Sequence, residues 1–142
     1  MIEFFEHKAD VGIRGIGKTK EEAIKEVCRG VFKLMFNIPD VYGDSELKTK
    51  KIEVSGSNDV ELMVNFINEA LYLFDVENSV FFDFLDVKIK DNGKKKLIAK
   101  GLYDFFDENK FEVGTEVKAA TFCEAKVYKD KDVWIAQCVV DV

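Results

Sequence analysis

Three oxygen anions stand out by position. Asp10 precedes Val11-Gly12-Ile13, a run of β-branched and glycine residues, and Asp141 precedes Val142, whose main-chain carboxylate is the third. Brought together they would make a site for a hard divalent cation, which takes oxygen ligands. Two carboxylates ~4 Å apart repel by roughly 4 kcal/mol at an effective dielectric near 20, so such a cluster takes up a cation or a proton. Most other acids here alternate with Lys or occupy turns. Asp141 instead follows Val139-Val140 on a strand-like run that is largely apolar on both faces. Chain ends often lie close together in a domain, which lets Asp141 approach Asp10. The competing reading of Asp10 is a turn residue.

Other chemistries are poorly supplied. His7 is the one histidine, so neither an imidazole-based triad nor a multi-His metal site can be assembled; His7 could orient a carboxylate. Gly12-x-x-Gly15-x-Gly17 lies between a strand and a helix, but its spacing reverses the dinucleotide fingerprint and no Gly-Lys-Ser/Thr follows. Packing glycines are the better reading. Cys28, Cys123 and Cys138 show neither a C-x-x-C pair nor zinc-like spacing, and are expected to be buried free thiols in a reducing compartment. An accessory or binding role therefore ranks above an enzyme.

The elements that must position these residues are legible. Ile2–Phe5 and Val11–Ile16 read as strands joined by a turn holding His7 and Asp10. Thr19-Lys20-Glu21-Glu22 is a capping box, and Ala23, Ile24, Val27, Cys28, Val31, Phe32 and Met35 recur at helical spacing to about Phe36, before Pro39. Residues 37–50, with Gly43 and Asp44, read as a loop, and Ile52-Glu53-Val54 as a short strand. A second helix begins at the cap Asn58, with Leu62, Met63, Phe66, Ile67, Ala70, Leu71 and Phe74 as its stripe. From Phe81 the period becomes two. Asp91-Asn92-Gly93 predicts a type I′ hairpin, and Thr121–Tyr128 with Val133–Val140 a second hairpin. Seven strands and two helices in this order define an α+β fold: a single two-layer domain over residues 1–142, two main helices packed on a largely antiparallel sheet with C-terminal hairpins.

Composition agrees. The 142 residues are 47% hydrophobic with thirteen Phe, enough for a core without disulfides. Net charge is −6, whereas a chain that grips a phosphate backbone is usually basic. The runs Lys48-Thr49-Lys50-Lys51 and Lys94-Lys95-Lys96 are short and flanked by acids, which reads as solvated strand ends and a hairpin tip. Direct nucleic-acid binding is disfavoured on this ground. No segment reaches the ~18 apolar residues of a membrane span, and Met1-Ile2-Glu3-Phe4 is no signal peptide, so a cytoplasmic protein without membrane contact is expected.

Five separated motifs in order, His7-x-Ala9-Asp10-Val11-Gly12-Ile13, Thr19-x-Glu21-Glu22-Ala23, Phe66-Ile67-Asn68-Glu69-x-Leu71, Glu116-Val117-Lys118-Ala119-x-Thr121 and Val140-Asp141-Val142, make the chain resemble the archease family along its whole length. The resemblance implies a protein that helps an RtcB-type tRNA-splicing RNA ligase turn over, by promoting transfer of a guanylate onto the ligase's active-site histidine. It implies a divalent metal, usually assigned as Ca2+, held by the residues matching Asp10, Asp141 and Val142, with RNA engaged only indirectly. Glu69 and Lys118 match the family pattern; with His7 they are candidate partner contacts, a salt bridge or loop anchor being the competing role. The chain departs from the pattern at Thr121-Phe122-Cys123, where many relatives have Thr-Tyr-His, and at Glu108-Asn109-Lys110-Phe111, which lacks a histidine often seen there. Two other readings stand beside this one. One is a small-molecule-binding or chaperone-like module; the other is a weak metal-dependent hydrolase whose acidic cluster supplies the base.

Overall fold

The computed structural model describes residues 1–39, 41–42 and 47–142. In chain order the elements are β1 (Ile2–His7), β2 (Asp10–Gly17), α1 (Lys20–Met35), β3 (Lys48–Gly56), α2 (Asp59–Glu77), β4 (Ser79–Asp91), β5 (Lys95–Phe105), β6 (Ala119–Ala120), β7 (Lys126–Asp130) and β8 (Val133–Asp141). All pairings between strands are antiparallel, and both helices pack on the sheets, as the α+β pattern predicts.

The strands divide into two sheets, a partition the hydrophobic pattern does not encode. One runs β1-β2-β8-β6 with β7 also on β8; the other runs β3-β5-β4. The helices join them. Ile13, Ala136, Cys138 and Val140 from the first sheet share one core cluster with Ile52, Phe81, Phe84, Leu97 and Ala99 from the second, through Ile24, Val27, Phe32, Phe66 and Ile67.

Local signals set the helix ends. Thr19 Oγ1 accepts the Glu22 N–H at 3.1 Å, while Glu22 reaches back to the Lys18 N–H, one residue earlier than a standard box. Asn58 Oδ1 accepts the Glu61 N–H at 2.9 Å, and α2 closes on Asn78, whose φ of 59° lets its N–H return to the Phe74 carbonyl.

Several boundaries differ from expectation. His7 and Asp10 are the last paired residues of the β1–β2 hairpin, and its turn is Lys8-Ala9, with Lys8 at φ 54°. Asp91 pairs with Lys95, so the β4–β5 loop is Asn92-Gly93-Lys94, and positive φ occurs there at Gly93 alone; a two-residue type I′ turn needs it twice. β3 begins at Lys48, inside the expected loop, because Lys48–Lys51 pair with Lys100–Tyr103. Gly43 and Asp44 of that loop lie outside the described residues. The first strand of the last hairpin is interrupted: residues 121–125 form a turn between the two-residue β6 and β7.

Candidate functional site

The glycines of β2 explain how its flanks come close. A Cβ on Gly12 would sit 2.1 Å from the Phe5 ring, and one on Gly15 would meet the Ala23 carbonyl at 2.2 Å. They lie within a strand, under a ring and under α1, so the glycine pattern is packing and not a phosphate loop.

Strand register then builds the site. Val11 opposes Val140 as the last pair of the β2–β8 ladder, which leaves Asp10 and Asp141 as the residues next beyond it. The Val142 N–H donates to Asp10 Oδ1 at 3.3 Å, a hydrogen bond spanning nearly the whole sequence. On the other side of β8, Ala119 pairs with Asp141, and the Lys118 N–H donates to the Asp141 carbonyl at 2.9 Å. The opening hairpin and the last two residues thus converge. Asp141 is exposed, whereas Asp10 and Val142 are half-buried.

The 121–125 turn folds over the same end of the sheet. Thr121 donates to the Val139 carbonyl through both its N–H (3.1 Å) and its hydroxyl (2.7 Å), and the Val139 N–H returns to the Cys123 carbonyl at 3.1 Å. This brings Cys123 Sγ to 3.5 Å from His7 Nε2. Cys123 is therefore an exposed turn thiol, where a buried strand residue was expected. Phe122, beside it, is 59% exposed. Cys28 and Cys138 are the expected buried thiols: burial pushes Cys138 up to about 12, and burial, with Cys138 adding to it, raises Cys28 well above the ordinary thiol value.

The remaining candidates are distributed. His7 joins the cluster through Cys123, and Lys118 through its main-chain N–H alone. Glu69 lies on α2 in a surface depression with Val54, Ser55, Asn65, Asn68 and Tyr72. Neither Glu69 nor Lys118 has an ion pair among the described residues. Asn68 lies on α2 beside its buried apolar stripe. Its Oδ1 accepts the Ala120 N–H at 2.8 Å and its Nδ2 donates to the Ala120 carbonyl at 3.3 Å, clamping β6 to α2. An amide at the edge of an otherwise apolar stripe was the available signal.

Among the described residues, no three His, Cys, Asp or Glu side chains converge as a metal cage. The donor set suits a hard cation only in an open form. Asp10 and Asp141 offer carboxylate oxygen alone, fewer than the ~6–8 ligands calcium takes, so a cation held there would need water or a partner's oxygen to complete its shell.

Comparison with known proteins fixes the family. The model of the Archease protein family (MTH1598/TM1083) matches residues 2–142. Protein archease of Pyrococcus furiosus is 40% identical over 142 residues, covering 99% of this chain and 97% of its own. That of Sulfurisphaera tokodaii is 33% identical over 141 residues, covering 99% and 98%. The solution structure of Methanobacterium thermoautotrophicum protein 1598 superimposes with a TM-score of 0.82 at 23% identity, over 99% of this chain and 98% of that one. A Thermotoga maritima crystal structure, described as an archease and possible chaperone, gives 0.59 at 22% identity, over 100% and 98%. This α+β protein, with its acidic sheet end, belongs to the archease family.

Proposed function

We propose that this protein is a non-catalytic, cytoplasmic activator of a tRNA-splicing RNA ligase, acting through a divalent cation, Ca2+ by ligand chemistry, at Asp10, Asp141 and Val142. The observation that carries this reading is the approach of the β1–β2 hairpin turn to the Asp141-Val142 segment at one end of the sheet, with Val142 N–H on Asp10 Oδ1, in a chain of this family. The bound cation would supply a positive charge able to engage phosphate or a carboxylate on the ligase. The chain's own part is to hold two aspartates in register, to orient the chain end toward Asp10, and to keep the site open. Phe122, exposed beside it, suits an aromatic anchor for a protein partner.

The test is direct. Purified protein is mixed with a tRNA-splicing ligase, GTP and Mn2+, and guanylylated ligase is followed over time. Acceleration that disappears with Asp10→Ala or Asp141→Ala supports the reading; no acceleration at any ratio removes it. A chaperone-like role is the second reading, favoured by the description of the Thermotoga structure. As a module without a ligase partner, it predicts suppressed aggregation of an unfolded client protein and no faster guanylylation of the ligase.

A further inference from the structure

Six lysines that look scattered in sequence occupy one surface. In the β3-β5-β4 sheet Ile52, Leu97, Ala99 and Ile89 face the helices, so the alternate residues face outward. Register places Lys51 against Lys100, Ile98 against Lys88, and Lys96 against Lys90, with Lys94 at the hairpin loop beside them. Lys51, Lys88, Lys90, Lys94, Lys96 and Lys100 are all exposed. The acids on this face are Glu53 and Asp86, each in a long contact, Lys51–Glu53 at 3.9 Å and Lys100–Asp86 at 3.8 Å. Among the described residues Lys88, Lys90, Lys94 and Lys96 have no carboxylate partner. A chain of net charge −6 therefore carries a concentrated positive face.

Like charges directly opposite across a ladder destabilise a sheet, and here Lys90 opposes Lys96; Glu53 lines the same hollow as Lys90, Lys94 and Lys96 but forms no ion pair with them among the described residues. The arrangement works against folding, and an anionic ligand is what would compensate it. The composition of the face selects the ligand. Protein interfaces are poor in Lys and rich in aromatics and Arg, whereas this face has Lys and no aromatic side chain. Stacking of single-stranded bases needs an exposed ring, and the face offers none. What remains is the sequence-independent neutralisation of a duplex backbone by point charges.

We infer that the outer face of the β3-β5-β4 sheet, through Lys88, Lys90, Lys94 and Lys96, binds the phosphate backbone of an RNA duplex. The choice of RNA over DNA rests on the proposed role beside an RNA ligase; the surface itself does not.

The experiment uses the full chain without any ligase, so that its outcome is independent of activation. Fluorescence anisotropy is measured with a labelled RNA duplex of about 16 bp, the span of a backbone-reading module. With four lysines engaged, log affinity should fall against log salt with a slope of about −3 to −4, roughly a hundredfold loss from 50 to 200 mM. Lys88→Gln, Lys90→Gln and Lys96→Gln combined should reduce the slope to about −1 at an unchanged circular dichroism spectrum. Lys126→Gln with Lys129→Gln, on the other sheet, should leave it alone. Absence of salt-dependent binding, or an unchanged slope in the triple variant, overturns the proposal. Competition by poly-glutamate as strong as by duplex would assign the face to an acidic protein instead, tighter binding of a single strand would remove the duplex, and tighter binding of a DNA duplex would remove RNA.

Discussion

The two sheets each end in a charged region, and they are built in opposite ways. At the end of the β1-β2-β8-β6 sheet the charges are few and held by main-chain geometry: Asp10 and Asp141 lie next beyond the Val11–Val140 pair, and Val142 and Lys118 are fixed by single hydrogen bonds. On the β3-β5-β4 face the charges are many, on long exposed side chains, four of them unpaired among the described residues. The first region is positional and depends on distances; the second is a field, depending on the count of lysines and on salt. Net charge describes neither.

The largest effect should come from the positional region. Asp10→Ala and Asp141→Ala are expected to return ligase guanylylation to its unstimulated rate. The loss of stability should stay near ~1 kcal/mol, since at most one part-buried hydrogen bond, 3.3 Å long, is removed. Variants that unfold instead would make these acids structural and erase the contrast.

Next comes the strand that holds register. Gly15→Ala puts a methyl 2.2 Å from the Ala23 carbonyl, a contact with backbone that no rotamer can relieve, and should destabilise by about 1–3 kcal/mol in urea unfolding. Lys88→Gln, by contrast, should leave stability within about 0.5 kcal/mol of the parent, as an exposed substitution does. Equal losses at the two positions would break the comparison.

The thiols sharpen it further. The thiolate is the reactive form, so at pH 8 the native protein should give one fast-reacting thiol with an aromatic disulfide reagent, Cys123, and three after unfolding. Because burial raises Cys28 and Cys138 in the folded state, the unfolded chain releases those protons first. Stability should therefore fall as pH rises past the ordinary thiol value of 9.0 toward the Cys138 value of about 12.

The smallest effect concerns Asp59 at the start of α2. Partial burial pushes its carboxyl upward, but hydrogen bonds from Lys20 and Lys95, 2.9 Å each, outweigh that and lower it. Its contribution is present above the ordinary 3.8 and is lost as pH falls through the lower folded value. Asp59→Asn should cost no more than about 1 kcal/mol at neutral pH and remove that acid dependence. Lys95 turns inward to this partner while Lys94 and Lys96 do not, which separates a structural lysine from the proposed binding ones.

What the sequence disclosed follows from range. Thr19, Asn58 and the apolar stripes of α1 and α2 act within a few residues, and their elements form where the spacing predicts. Asp10 and Asp141 were legible as a pair only through their unusual contexts, which two strand ends happen to share. The division into two sheets was not legible, since an apolar strand residue looks the same whichever sheet receives it. Nor was the basic face, because Lys51, Lys90 and Lys96 lie on three strands and are gathered by pairing alone. Cys123 was misplaced because Thr121-Phe122-Cys123 alternates like a strand while its hydrogen bonds run to Val139 as a turn.

The two bonds between Asn68 and Ala120 carry one further consequence. They fasten the middle of α2 to the segment whose next neighbours, Lys118 and Ala119, meet Asp141. Asn68 also lines the hollow that holds Glu69 and Tyr72, so the hollow and the segment next to Asp141 share one fastening, the Asn68 side-chain amide.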